Sequence, residues 1–112
     1  VKVIIKKPGC IGQAKDIANT LEALQAEVGG YIETVTINSR LVAIVHEEGR
    51  LIGLDPNVLG LVGTIVFVGA PTDDLPDEFA DIDDQSAQLL EAGYIPVESK
   101  GNAWLQEGAF PC

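Results

Sequence analysis

Between positions 19 and 33 the chain reads Asn-Thr-Leu-Glu-Ala-Leu-Gln-Ala-Glu-Val-Gly-Gly-Tyr-Ile-Glu, and every local signal in that stretch agrees on a helix handing over to a strand. The side-chain oxygen of Asn19 suits a helix cap, and Glu22, three positions on, is placed to reach back to the cap's own N–H, the reciprocal pattern of a capping box. Leu21, Leu24 and Val28 recur at helical spacing and turn one apolar stripe toward a core. Gly29 and Gly30 then supply the positive φ by which helices commonly end. The spacing predicts a helix over 20–28 and a strand over 31–37, where bulky and polar residues alternate and β-branched types dominate.

The flanking segments extend this unit into a layered domain. Val1 to Lys6 reads as a first strand ended by Pro8-Gly9, and Ala14 to Ile17 as a short second strand running into the helix. Leu41 to Val45 is continuously apolar, as a central strand covered on both faces should be, and makes a hairpin with the strand before it. Glu47 to Arg50 reads as a turn, Leu51 to Leu54 as a short return strand, Asp55-Pro56-Asn57 as a break, and 58–62 as an irregular or single-turn helical link. Thr64 to Val68, between Gly63 and Gly69, is a further interior strand.

After Gly69 the composition shifts to an acidic, proline-punctuated connector beginning Pro71-Thr72-Asp73-Asp74-Leu75-Pro76. A second helix is expected over 83–92, docked through Ile82, Ala87, Leu89 and Leu90 and closed by Gly93. Asp81, Asp83 and Asp84 lie at its positive end, a placement that stabilises a helix by about 0.3–1 kcal/mol per charge at low salt. The tail segments 94–97 and 103–105 are apolar enough to pack but show no firm secondary structure. The expected fold is α+β, a mostly antiparallel sheet of four to five strands with one face covered by one or two helices. A chain of 112 residues holds one such domain: 1–70 as the compact core, and 71–112 as acidic connector, second helix and tail packed on it.

Charge divides the chain as sharply as hydropathy does. The net charge is −10; residues 1–70 carry six basic and seven acidic side chains, whereas 71–112 carry one basic and ten acidic. Such a field repels phosphate backbones, so direct nucleic-acid binding is not expected, and it suits a basic protein partner. A surface that only keeps a small domain soluble would look the same. No apolar run approaches the roughly 18–20 residues a membrane helix needs, and the amino terminus reads as a strand rather than a signal peptide. The cytoplasm is the expected location.

The sites with chemical potential are few. Cys10 and Cys112 are expected as free thiols, because a disulfide would require the tail to return to the first loop. His46, the one histidine, precedes Glu47 and Glu48, yet no serine or cysteine stands in a nucleophile context beside it. Asp73, Asp74, Asp77, Asp81, Asp83 and Asp84 lack the glycine and terminal glutamate of a calcium loop, so no metal is expected. Glycines 49, 53, 60 and 63 lack the lysine or the helix of a phosphate loop, so no cofactor is expected either. The irregular Gly-Leu-Asp-Pro-Asn segment makes Leu54, Asp55 and Asn57 the candidates for gripping a small ligand. Trp104, Tyr94 and Phe110 are candidate interface anchors if exposed.

The motifs Lys-Val-Ile-Ile-x-x-Pro-Gly, Leu-Glu-Ala-Leu-Gln-x-x-Val-Gly-Gly-Tyr-Ile-Glu, Glu-Glu-Gly-Arg-Leu-x-Gly-Leu-x-Pro-Asn and Gly-Thr-Ile-Val-Phe-Val-Gly follow one another in this chain. In that order they resemble a domain family of unknown function carried by phages, plasmids and other mobile elements of Gram-positive and gut bacteria. The resemblance covers about 1–90 and is strongest over 21–33 and 47–57. It implies a small accessory protein that acts by binding. Three functions follow in order of preference. The first is a non-catalytic protein that contacts a host protein through Asp73, Asp74, Asp77, Asp81, Asp83, Asp84 and Trp104. The second is a homo-oligomer sequestering a nucleotide-like molecule near Leu54, Asp55 and Asn57, aided by Lys6, Lys7 and Lys15. The third is an enzyme built on His46.

Overall fold

The computed structural model describes residues 1–96, the backbone of 103–105, and 109–112. Five strands make one antiparallel sheet: β1 (Lys2–Lys6), β2 (Gln13–Asp16), β3 (Ile32–Thr36), β4 (Leu41–His46) and β5 (Ile65–Gly69), in the order β2-β1-β5-β4-β3. Helix α1 (Leu21–Val28) connects the two edge strands, and α2 (Asp84–Glu91) follows the acidic connector. This is the antiparallel α+β sheet with packed helices that the sequence predicts.

The helices lie on opposite faces, where one shared face was expected. Val3, Ile5, Val42, Ile44, Val66 and Val68 bury one face beneath Leu24 and Val28 of α1. Ile4, Leu41, Ala43, Val45, Ile65 and Phe67 bury the other, against Ile82 and against Ala87 and Leu90 of α2. Successive strand residues point to opposite faces, so a two-sided core is what demands the unbroken apolar runs of β4 and β5.

Helix α1 starts one residue later than its sequence suggests. Thr20, in extended conformation, is the cap and its hydroxyl accepts from the Ala23 N–H at 3.2 Å. Asn19 instead donates its side-chain amide to the Phe79 carbonyl at 2.9 Å, so a tertiary contact outcompetes the local one and the capping box with Glu22 does not form. Leu21 is exposed, which narrows the buried stripe to Leu24 and Val28. Gly29 ends the helix at φ 85°, a left-handed conformation that costs a side-chain-bearing residue about 1 kcal/mol or more.

Three further expectations change. Leu51 to Leu54 is a turn, with Leu51 at 86 % exposure, and forms no strand. β2 pairs one residue earlier than expected, over Gln13–Asp16. The tail has regular structure after all, since β6 (Tyr94–Pro96) pairs antiparallel with β7 (Ala103–Leu105); Val97, expected in the same apolar segment, lies outside the described residues.

The cysteines are joined. Cys10 and Cys112, 102 positions apart, form a disulfide with their Cα atoms 5.7 Å apart, in place of the free thiols expected. The tail does return to the first loop: the Ile11 N–H donates to the Phe110 carbonyl and the Phe110 N–H to the Gly9 carbonyl, both at 2.9 Å. Gln13 adds a side-chain hydrogen bond to the Cys112 carbonyl. Disulfides of this kind persist in oxidising surroundings. No helix among the described residues is long and apolar enough to cross a membrane.

Candidate partner-binding surface

The acidic connector is a loop with fixed ends. Gly69 and Ala80 exchange backbone hydrogen bonds at 2.9 and 3.0 Å, and any Cβ on Gly69 would strike the carbonyls of Ala80 and Asp81. Just beyond this clamp the Ile82 N–H donates to the Lys2 carbonyl at 3.0 Å. Between these anchors residues 71–78 are all exposed.

The six aspartates singled out from sequence fall into two groups. Asp83 caps α2, with one carboxylate oxygen accepting from the Ser86 N–H and the other from its hydroxyl, both at 2.8 Å. Asp81 accepts from the Lys2 N–H at 2.8 Å, and Asp84 lies 3.7 Å from the Lys2 ammonium. These three serve the fold. Asp73, Asp74 and Asp77 sit on the loop, and among the described residues they make no hydrogen bond or ion pair. Glu78, which a reading focused on aspartates passes over, joins them, and between the two pairs Leu75 is 57 % exposed.

In the Asp55-Pro56-Asn57 segment the Asn57 side chain is fully engaged by its own neighbours. The Asn57 amide donates to the Lys6 and Gly63 carbonyls at 2.9 and 2.8 Å, while its oxygen accepts from the Lys6 ammonium at 3.0 Å and the Val58 N–H at 2.8 Å. That is the whole hydrogen-bonding capacity of an amide side chain. Leu54 packs toward Gly49 and Gly63, and Asp55 is exposed. Asn57 is therefore a structural hub.

Of the lysines proposed to line a phosphate pocket, Lys7 and Lys15 share a cavity of about 170 Å³ with Glu27 beside them, and Lys6 stands apart. Lys6 is 1 % exposed, with its ammonium on Asn57 and the Lys7 carbonyl, and burial pushes its pKa below the ordinary lysine value. Lys15 is paired with Glu27 of α1 at 2.6 Å. His46 accepts at Nδ1 from the Glu48 N–H at 3.0 Å, and its ring lies against Gly30. Cys10, locked in the disulfide, has no thiolate to offer it. Among the described residues no three His, Cys, Asp or Glu side chains are grouped to hold a metal ion.

Tyr94 and Phe110 are exposed, Phe110 at 67 %. Trp104 belongs to β7, and its side chain lies outside what is described. What the sequence reading missed is the region around β3. A cavity of about 420 Å³ opens there on the α2 side, lined in part by Glu33, Val35, Glu47, Leu51 and Leu61. A second, of about 210 Å³, opens on the α1 side between Leu21, Leu24, Ile32 and Phe79, with Asp77 and Glu78 at its margin. The available signal was the exposed polar side of the 31–37 alternation, which marks a strand covered incompletely.

Compared with known families, residues 1–94 match the model described as Domain of unknown function (DUF3846). No curated protein and no solved structure gives a match.

Proposed function

We propose that this chain, which belongs to the DUF3846 family, a domain of unknown function, is a non-catalytic binding protein that holds a basic region of a protein partner. The observation that carries this reading is the clamped loop whose carboxylates at Asp73, Asp74, Asp77 and Glu78 are engaged by nothing else described. Carboxylates already used by the fold have little to offer a partner, whereas hydrated, unpaired ones gain lysine or arginine contacts without breaking anything. Each exposed pair is worth only about 0–1 kcal/mol, so affinity needs several together and an apolar anchor such as Leu75. The −10 net charge adds steering of a basic partner toward the surface.

An accessory role in phages, plasmids or other mobile elements of bacteria completes the proposal and is supported by the family resemblance, with the Cys10–Cys112 disulfide favouring oxidising surroundings. A nucleotide-like ligand has weaker support, because Glu33 and Glu47 beside the 420 Å³ cavity repel phosphate.

The test is a salt series on a combined Asp73→Asn, Asp74→Asn, Asp77→Asn and Glu78→Gln variant. Wild-type protein should retain basic proteins from host lysate at about 0.1 M salt and release them near 1 M, where the Debye length falls from about 10 to about 3 Å. The variant should fold normally and retain few of them. Equal retention by both proteins, or retention indifferent to salt, overturns the reading.

A further inference from the structure

We infer that β3 is a strand acceptor, and that the partner's basic region binds as an extended segment added to this edge of the sheet. The inference rests on the binding reading above and specifies its mode.

The backbone register shows which groups are on offer. The Glu47 N–H donates to the Tyr31 carbonyl at 2.8 Å and the Ile37 N–H to the Leu41 carbonyl at 2.9 Å. In an antiparallel ladder the residues that exchange hydrogen bonds alternate with those that do not, so 31, 33, 35 and 37 turn toward β4. Ile32, Thr34 and Thr36 consequently direct both N–H and C=O away from the sheet. Among the described residues β3 pairs with β4 alone. A row of open donors and acceptors of this kind is a template for another strand.

Side chains on the two faces give the template its specificity. Glu33 and Val35 point to the α2 side, where the 420 Å³ cavity offers apolar walls from Val35, Val45, Leu51 and Leu61 under the Glu33 and Glu47 carboxylates. The cation there, Arg50, is engaged with the Gly60 carbonyl. Ile32 points to the α1 side, where the 210 Å³ cavity combines Leu21, Leu24 and Phe79 with Asp77 and Glu78. An incoming strand alternates its own side chains between the same two faces. Each face therefore receives an apolar side chain into a cavity and a cation onto carboxylates.

Charge selects the occupant. A second copy of this chain would bring another −10 molecule, with its own Glu33, Glu47, Asp77 and Glu78, against the first. A segment carrying paired apolar and basic residues meets opposite charge on both faces.

The probe is a synthetic peptide in which pairs of valines alternate with pairs of lysines, titrated into the intact protein and followed by amide exchange and NMR shifts. Its analogue with alternate amides N-methylated keeps the side chains but cannot join the ladder. Binding should protect the amides of Ile32, Thr34 and Thr36. Affinity should fall roughly fivefold or more for the methylated analogue, and likewise for Thr34→Pro, which removes only an outward N–H.

Equal binding of the two peptides, or protection confined to other residues, overturns the inference even if Thr34→Pro fails to fold. A concentration-dependent dimer abolished by Thr34→Pro would give the edge to a second copy and overturn it as well. If Asp73→Asn with Asp74→Asn weakens lysate capture while Thr34→Pro does not, strand addition fails and the broader binding reading stands.

Discussion

The two edges of the sheet both leave outward backbone groups open among the described residues, but they are tied to the rest of the molecule differently. At β2 the Val1 ammonium donates to the Ile17 carbonyl at 2.6 Å, Lys15 is tied to α1 through Glu27, and the tail is bonded to the neighbouring loop by a disulfide and by backbone pairs on Gly9 and Ile11. At β3 nothing described covers the outward backbone, and cavities flank both faces. The asymmetry teaches that the stabilising devices gather at the β2 end, while the cavities beside β3 are left unfilled.

The strongest way to break this comparison is to cut the strap. Replacing Cys10 and Cys112 together by serine should lower unfolding free energy by as much as about 4–5 kcal/mol on the chain-entropy estimate for a loop of this length. Amide exchange should quicken most at Ile11 and Phe110, and stay unchanged only at the outward amides of β3, which exchange without global unfolding. A loss below about 1 kcal/mol in a urea melt would mean that the backbone pairs hold the tail unaided.

The next test acts between the two ends, where β1 is pinned to the 57–63 turn. Asn57→Ala strands the Lys6 ammonium and two carbonyls, and should cost about 2–4 kcal/mol by denaturant titration. Lys6 itself gives the pH signature. Its folded-state pKa lies below 10.5 because burial disfavours the ammonium, so between the folded value and 10.5 the unfolded chain binds more protons. Wild-type stability should therefore rise relative to Lys6→Met as pH climbs through that window, and a flat difference would remove the burial argument.

The smallest effect sharpens the contrast between spent and free carboxylates. Asp83→Ala should cost about 1 kcal/mol through loss of the α2 cap. Asp73→Asn should stay within about 0.5 kcal/mol of wild type in the same thermal melt. Equal costs would place Asp73 among the structural residues.

Much of the fold could be read locally because its determinants are local. The Gly29 exit, the alternation of β3 and the unbroken apolar runs of β4 and β5 each encode an environment within a few residues. The failures share a cause in contacts between distant segments. Asn19 and Thr20 are both good caps, and the choice between them is made by the Phe79 carbonyl, 60 positions away. Apolar composition made Leu51-Ile52-Gly53-Leu54 resemble a strand, but the turn bonds Ile52 N–H to Glu48 C=O and Leu54 N–H to Gly49 C=O leave Leu51 outside. The Cys10–Cys112 bond depends on a tail path that no local pattern records. Of the candidate site, the acidic connector was legible from composition, whereas which aspartates were free, and that β3 was an edge, required the register.

The reciprocal bonds between Gly69 and Ala80 have an evolutionary corollary. With its stem closed by main-chain bonds and by the Asn19 amide on the Phe79 carbonyl, the excursion through 71–78 is an exchangeable cassette: substitutions there leave the layers beneath it intact. Sequence in that stretch can then diverge between related chains faster than architecture does, and residues 71–78 are the natural place to graft a foreign peptide.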